Sequence, residues 1–142
     1  MQVRDGMSGV SVTVGPSHTL RQAAAAMVEG NVGAALVIDD EAPTPGIVTE
    51  RDLLLSVGAG EDPDVETVGA RMTESVLAAA PDWSLEHAAA EMSRRSVRHL
   101  VVFEGGEVIG VLSMRDIVRV WTSAGATSEM PLPSGAGSTG GR

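Results

Sequence analysis

Seven residues occur twice in this chain with the same chemistry in the same order. Gly46-Ile47-Val48-Thr49-Glu50-Arg51-Asp52 is matched by Gly110-Val111-Leu112-Ser113-Met114-Arg115-Asp116. In each segment a glycine and two apolar residues lead to a hydroxyl, with an arginine two residues on and a carboxylate three residues on. A hydroxyl followed three residues later by an acid suits the start of a helix, where it can satisfy backbone amides and contribute about 1 kcal/mol. The same groups suit a ligand. Amides and a hydroxyl at a helix start offer donors to a phosphate, and a nearby carboxylate can accept from the two hydroxyls of a ribose. Capping accounts for one copy on its own. It accounts less well for the arginine, which is kept in both copies while its neighbour changes from Glu50 to Met114.

The flanking sequence repeats as well. Met7 corresponds to Met72, Pro16 to Pro81, Leu20 to Leu85, Ala23-Ala24-Ala25 to Ala88-Ala89-Ala90, and Met27 to Met92. A single residue of length change falls in the turn after Ile38. A repeat of this length is a whole small fold, not one solenoid unit. Each copy begins with a segment able to make one helical turn, at Val3 to Met7 and Val68 to Met72. A short strand follows, Val10 to Val14 and Val76 to Ala79, stopped by Pro16 and Pro81. Thr19 with Gln22 is a capping-box start, Ser84 holds the same place, and Gly30 is expected to close the first helix. Two apolar runs come next: Ala34 to Ile38 with Gly46 to Thr49, and Leu100 to Phe103 with Val108 to Leu112. The second pair flanks a hairpin turn at Glu104-Gly105-Gly106-Glu107. Closing helices run from Glu50 to Val57 and from Met114 to Trp121. The order β-α-β-β-α thus occurs twice, in an α+β chain divided into repeat one (3–57), a solvated acidic linker (58–67), repeat two (68–122) and a Gly/Ser/Pro tail (123–142) read as disordered.

Composition narrows the chemistry. The formal charge of −9 opposes affinity for nucleic acid or anionic membrane. All ten basic residues are arginine, which excludes a Walker-type lysine loop and a Schiff base. There is no cysteine for a disulfide or thiolate site. His18, His87 and His99 are isolated, without metal-ligand spacing, and the linker acids lack a calcium-loop pattern. Arg94, Arg95 and Arg98 read as a helix end or a phosphate arm, since no aromatic platform accompanies them. The recurrent methionines Met72, Met92 and Met114 read as core filling. No nucleophile can be assigned to a general base, so an enzyme is not expected. Without an apolar segment at the N-terminus or a membrane-length run, a cytoplasmic protein is expected.

With its twin motifs at this spacing and in this β-α context, the chain resembles over residues 3 to 122 a tandem pair of cystathionine-β-synthase-type (CBS) domains, the arrangement called a Bateman module. The resemblance implies two repeats about a pseudo-two-fold axis, with clefts between them that hold an adenine nucleotide or adenosyl ligand: AMP, ADP, ATP, NAD(H) or S-adenosylmethionine. It implies that Thr49 and Asp52 serve one cleft, and Ser113 and Asp116 the other. It also implies that Val12, Thr13 and Val14, with Leu77, Ala78 and Ala79, wall the adenine, and that Arg98 and His99 form a phosphate arm. Gly33 and Ala34 stand where that arm would be in copy one, so the clefts should differ. A homodimer paired through its helices and an unidentified regulated protein are the implied partners, with no cofactor and no metal. The Ala-rich helix faces are compatible with such pairing, and burial within the monomer would give the same pattern. The rival is a constitutive homodimeric scaffold whose motifs are only caps.

Overall fold

The β-α-β-β-α order is present twice, each copy preceded by one helical turn. The computed structural model describes residues 1–10 and 12–123. In chain order the first copy holds α1 (Val3–Gly6), β1 (Thr13–Val14), α2 (Leu20–Gly30), β2 (Ala34–Val37), β3 (Gly46–Thr49) and α3 (Glu50–Gly58). The second holds α4 (Val68–Arg71), β4 (Ala78–Ala79), α5 (Leu85–Arg95), β5 (His99–Glu104), β6 (Glu107–Ser113) and α6 (Met114–Ser123). The expected tail lies outside the described residues, except for Ser123 at the end of α6.

Each copy builds a three-stranded sheet, ordered β1-β2-β3 and β4-β5-β6, with the first pair parallel and the second antiparallel. Only the last two residues of each expected first strand pair regularly. The Gly105-Gly106 turn, with φ of 62° and 83°, closes the second hairpin in the doubly left-handed conformation that matches strand twist. Thr19 and Gln22 make the expected capping box, and Ser84 Oγ accepts from the His87 amide at 3.0 Å. Helix α3 ends on a left-handed glycine, Gly60 (φ 83°), with the Gly60 and Glu61 amides donating to the Val57 and Ser56 carbonyls at 3.0 and 3.1 Å, whereas α2 and α5 do not end on glycine caps. Gly30 is the last helical residue of α2, and Asn31 (φ 54°) and Ser96 (φ 57°) supply the left-handed residue after α2 and α5.

Strand periodicity divides the apolar residues between two faces. Ala35, Val37 and Val48 face the core of copy one, and Leu100, Val102 and Leu112 face the core of copy two. The alternating residues Leu36, Ile47 and Val101 pack sheet against sheet between the copies. Full burial of each such side chain contributes roughly 1.5–3 kcal/mol. Both faces of the middle strands are therefore covered, and they read as continuous apolar runs. Ala23 and Ala88, on the Ala-rich helix faces, are wholly buried in their own cores rather than left for a partner.

The opening turns are exchanged. Val3 of α1 is buried in the core of copy two, and Val68 of α4 in the core of copy one. The chain after each turn then joins the other copy's sheet. Ser8 exchanges both backbone hydrogen bonds with Val111, at 3.0 Å each, and Thr73 does so with Ile47 at 2.8 and 2.9 Å. Further bridges join Gln2 to Ser84 and Thr19 to Thr67, completing the pseudo-two-fold pairing. The acidic linker is bound down more than its composition suggests. Glu61 accepts from Ser56 Oγ at 2.5 Å and pairs with Arg71 at 2.7 Å, while the Leu20 and Arg21 amides donate to Glu66 and Pro63.

Candidate functional site

Both repeated motifs run from a sheet edge into a helix start, and the glycine that opens each has a packing reason. A Cβ on Gly46 would lie 2.9 Å from the Thr73 carbonyl oxygen, and one on Gly110 only 2.5 Å from that of Ser8. The exchanged segment crosses directly over the glycine, with Met72 or Met7 beside it. Met72 thus owes its recurrence to the crossing, where its counterpart is Met7, more than to general core filling.

The hydroxyl and carboxylate form reciprocal caps in both copies. Asp52 Oδ2 accepts from the Thr49 amide at 2.8 Å, and Thr49 Oγ1 accepts from the Asp52 amide at 3.3 Å. Asp116 Oδ2 accepts from the Ser113 amide at 2.9 Å, and Ser113 Oγ from the Asp116 amide at 3.0 Å. The next amides are also engaged: Glu50 donates to the Gly33 carbonyl at 3.0 Å and Met114 to that of Arg98 at 2.8 Å. Of the first helical amides, only those of Arg51 and Arg115 find no partner among the described residues. The helix starts are therefore not open nests of free donors, and recognition of an anion falls to side chains. Capping still uses only one oxygen of each carboxylate. Asp52 Oδ1 accepts no hydrogen bond among the described residues, and Asp116 Oδ1 meets the exposed Arg119 at 3.3 Å.

The two motifs open on one continuous cavity of about 820 Å³, where the sequence suggested separate clefts. Thr49, Asp52, Ser113, Asp116, Val12, Leu77, Arg98 and His99 all line it. Thr13, Val14, Ala78 and Ala79 do not: Val14 and Ala79 are buried in their own cores, and Thr13 and Ala78 are exposed elsewhere. Val12 and Leu77, which precede β1 and β4 at the edge of the cores, reach the cavity. The wall includes residues the sequence did not single out, among them Ser8, Val10, Thr73 and Val76 from the exchanged segments. The matching of Met7 with Met72 and the expected strand starts at Val10 and Val76 were the traces that the sequence carried of these segments.

Charge is unevenly placed. Arg51, Arg98 and Arg115 line the cavity with three carboxylates, Glu50, Asp52 and Asp116, in a chain whose net charge is −9. None of the three arginines forms an ion pair among the described residues, nor does Glu50. Arg94 is bound to Glu91 on α5, so of the small basic cluster Arg98 alone serves the cavity. His99 is half-buried between the copies. Burial pushes its imidazole pKa down, Glu50 and Asp116 pull it up, and Arg115 and Arg98 push it down. The other histidines are occupied elsewhere: His18 Nδ1 accepts from the Gly15 amide at 2.8 Å, and His87 packs on Trp83 with ring centroids 4.3 Å apart. Among the described residues no group of three His, Asp or Glu side chains is placed to hold a metal ion, and no helix is long and apolar enough to cross a membrane.

A family model described as CBS domain matches residues 3–58 and 65–123. The CBS domain-containing protein YhcV of Bacillus subtilis is 29% identical over 115 residues, 81% of each chain. The uncharacterized protein MK0525 of Methanopyrus kandleri is 30% identical over 120 residues, and the alignment covers 83% of this chain but 61% of that longer relative. Among solved structures, the CBS domain protein NE2398 superimposes with a TM-score of 0.78 at 30% identity, covering 86% of this chain and 98% of that one. A hexameric CBS-CP12 protein from bloom-forming cyanobacteria gives 0.79 at 26% identity, covering 93% and 76%. The CBS domain pair of MJ0100, solved with 5′-methylthioadenosine and S-adenosyl-L-methionine, gives 0.77 at 22% identity over 87% and 98%, a likeness of fold.

Proposed function

The chain belongs to the CBS domain family, and on that footing we propose that it is a regulatory module, not an enzyme, which binds an adenine nucleotide or adenosyl compound between its repeats and passes the bound state to a partner. The observation that carries this reading is the cavity itself. Its volume of about 820 Å³ lies within the roughly 300–1,000 Å³ usual for small-ligand sites. It is lined from both copies by the motif carboxylates, of which Asp52 keeps an oxygen beyond its cap and Asp116 shares its second oxygen with the exposed Arg119, and by three arginines without ion-pair partners among the described residues. Asp52 and Asp116 would accept from ribose hydroxyls, and Arg98, Arg115 and His99 would meet phosphates. Val12 and Leu77 would flank the base. The fold shared with MJ0100 supports an adenosyl ligand, with AMP, ADP, ATP, NAD(H) and S-adenosylmethionine as the candidates. Because the wall comes from both copies, a ligand there favours one relative packing of the sheets, which a partner can read.

Thermal unfolding with each candidate tests this. A ligand at 100 times its dissociation constant adds about 2.7 kcal/mol to stability, and the midpoint should rise by several degrees for at least one compound. No shift with any of them would favour a constitutive scaffold with capped helices and an empty cavity. One observation supports self-association under either reading. On α3, Leu54 and Val57 are 68% and 61% exposed, and on α6 Val118 and Trp121 are 52% and 46% exposed. We assign these faces, in place of the buried alanines, to a homodimer contact; the hexameric CBS-CP12 protein shows a related chain assembling.

A further inference from the structure

The two halves of the cavity differ in charge at two pairs of equivalent positions. Copy two has Arg98 opening its middle strand and Met114 at the start of α6. Copy one has Gly33 and Glu50 at the same places. These two positions are neighbours in space. The end of the exposed Glu50 side chain occupies the space beside Gly33, where a Cβ would displace it. The same point lies 3.7 Å from His99 Nε2 of copy two. Glu50 therefore stands where the copy-one counterpart of the Arg98 arm would be, at the mouth shared with His99, with no cation paired to it among the described residues.

We infer that Glu50 is an anion filter, which keeps phosphate groups out of the copy-one half of the cavity and directs them to the Arg98 and Arg115 side. A like charge at the cavity mouth disfavours a phosphate by Coulomb repulsion, which water and salt weaken because Glu50 is exposed. The copy-one half, where Glu50 and Asp52 outnumber Arg51, is then left to uncharged or hydrogen-bond-donating parts of a ligand. For a nucleoside phosphate this means a single orientation. The inference deepens the adenosyl-ligand reading and rests on it for the nucleoside, though the filter acts on any phosphate.

Calorimetric titration of wild type, Glu50→Gln, Arg98→Gly and the double exchange Gly33→Arg with Glu50→Met tests it, using adenosine, ATP and inorganic triphosphate as probes. Glu50 is exposed and its side chain takes no part in the Thr49–Asp52 cap, so the Gln variant keeps the fold. The filter predicts that Glu50→Gln tightens triphosphate and ATP at least tenfold and leaves adenosine unchanged. It predicts a further gain in the double exchange and a loss of at least tenfold for both phosphates in Arg98→Gly. Equal triphosphate affinity in wild type and Glu50→Gln overturns the filter, as does a parallel change in adenosine. If triphosphate follows these predictions while adenosine adds nothing and ATP binds no better than triphosphate, the filter stands and the adenosyl reading falls.

Discussion

At the scale of single residues, the functional groups do two jobs, and one oxygen separates them. Asp52 and Asp116 each spend Oδ2 on a cap, which is structure; Asp52 Oδ1 accepts no hydrogen bond among the described residues, and Asp116 Oδ1 pairs with the exposed Arg119. Thr49, Asp52, Ser113 and Asp116 were legible because a hydroxyl, an arginine and an acid recurred at fixed spacing. Glu50 was not, because its meaning depends on an absent side chain at Gly33, across a contact that no local pattern records. His99 gives a prediction with a definite sign. Its folded pKa lies below the ordinary 6.5 because it is buried, while Glu50, Asp116, Arg98 and Arg115 all face it. The unfolded chain therefore takes up a proton near pH 6.5 more readily than the folded one. This contribution to stability is constant well above that pH and falls away as pH drops through about 6.5. A phosphate beside His99 would reverse the preference, so triphosphate binding should couple to proton uptake and strengthen from pH 7.5 to 6. Titration in buffers of different ionisation enthalpy measures that uptake, and His99→Asn should abolish it. Uptake unchanged in the variant would place the phosphates elsewhere.

At the scale of elements, the repeat predicted the order of helices and strands well, because capping residues and period-two apolar runs are local signals. The exchange of α1 and α4 was hidden, since a helical turn that buries a single valine reads alike whichever core receives it. The motif glycines record that exchange. A methyl group on Gly110 would press on the Ser8 carbonyl at 2.5 Å, so Gly110→Ala should cost about 1–3 kcal/mol, with less for Gly46→Ala at 2.9 Å. Equilibrium denaturation measures both, and equal small losses would mean the crossing segments are loosely held. Val3→Ala should cost roughly 2 kcal/mol through the cavity it leaves. Hydrogen exchange should then rise first in β6 and α6 of copy two, whose core holds Val3, and not in copy one.

At the scale of the whole molecule, two copies that exchange their opening turns and share the sheet interface of Leu36, Ile47 and Val101 cannot move as independent beads. The expectation of paired clefts followed from symmetry. Their merger into one cavity depends on how closely the sheets approach, which no sequence pattern specifies. The proposed homodimer rests on the exposed apolar faces of α3 and α6. Leu54→Glu with Trp121→Glu should shift sedimentation from dimer to monomer while leaving the cavity intact, and an unchanged dimer would move the interface elsewhere. The central claim is that this cavity binds an adenine-containing ligand through the motif carboxylates. Calorimetric titration of wild type and the Asp52→Asn/Asp116→Asn double variant with ATP and S-adenosylmethionine tests it most directly. The account predicts saturable binding of at least one compound, weakened tenfold or more in a variant that remains folded. No binding to the wild-type protein, or equal binding to both proteins, would contradict it.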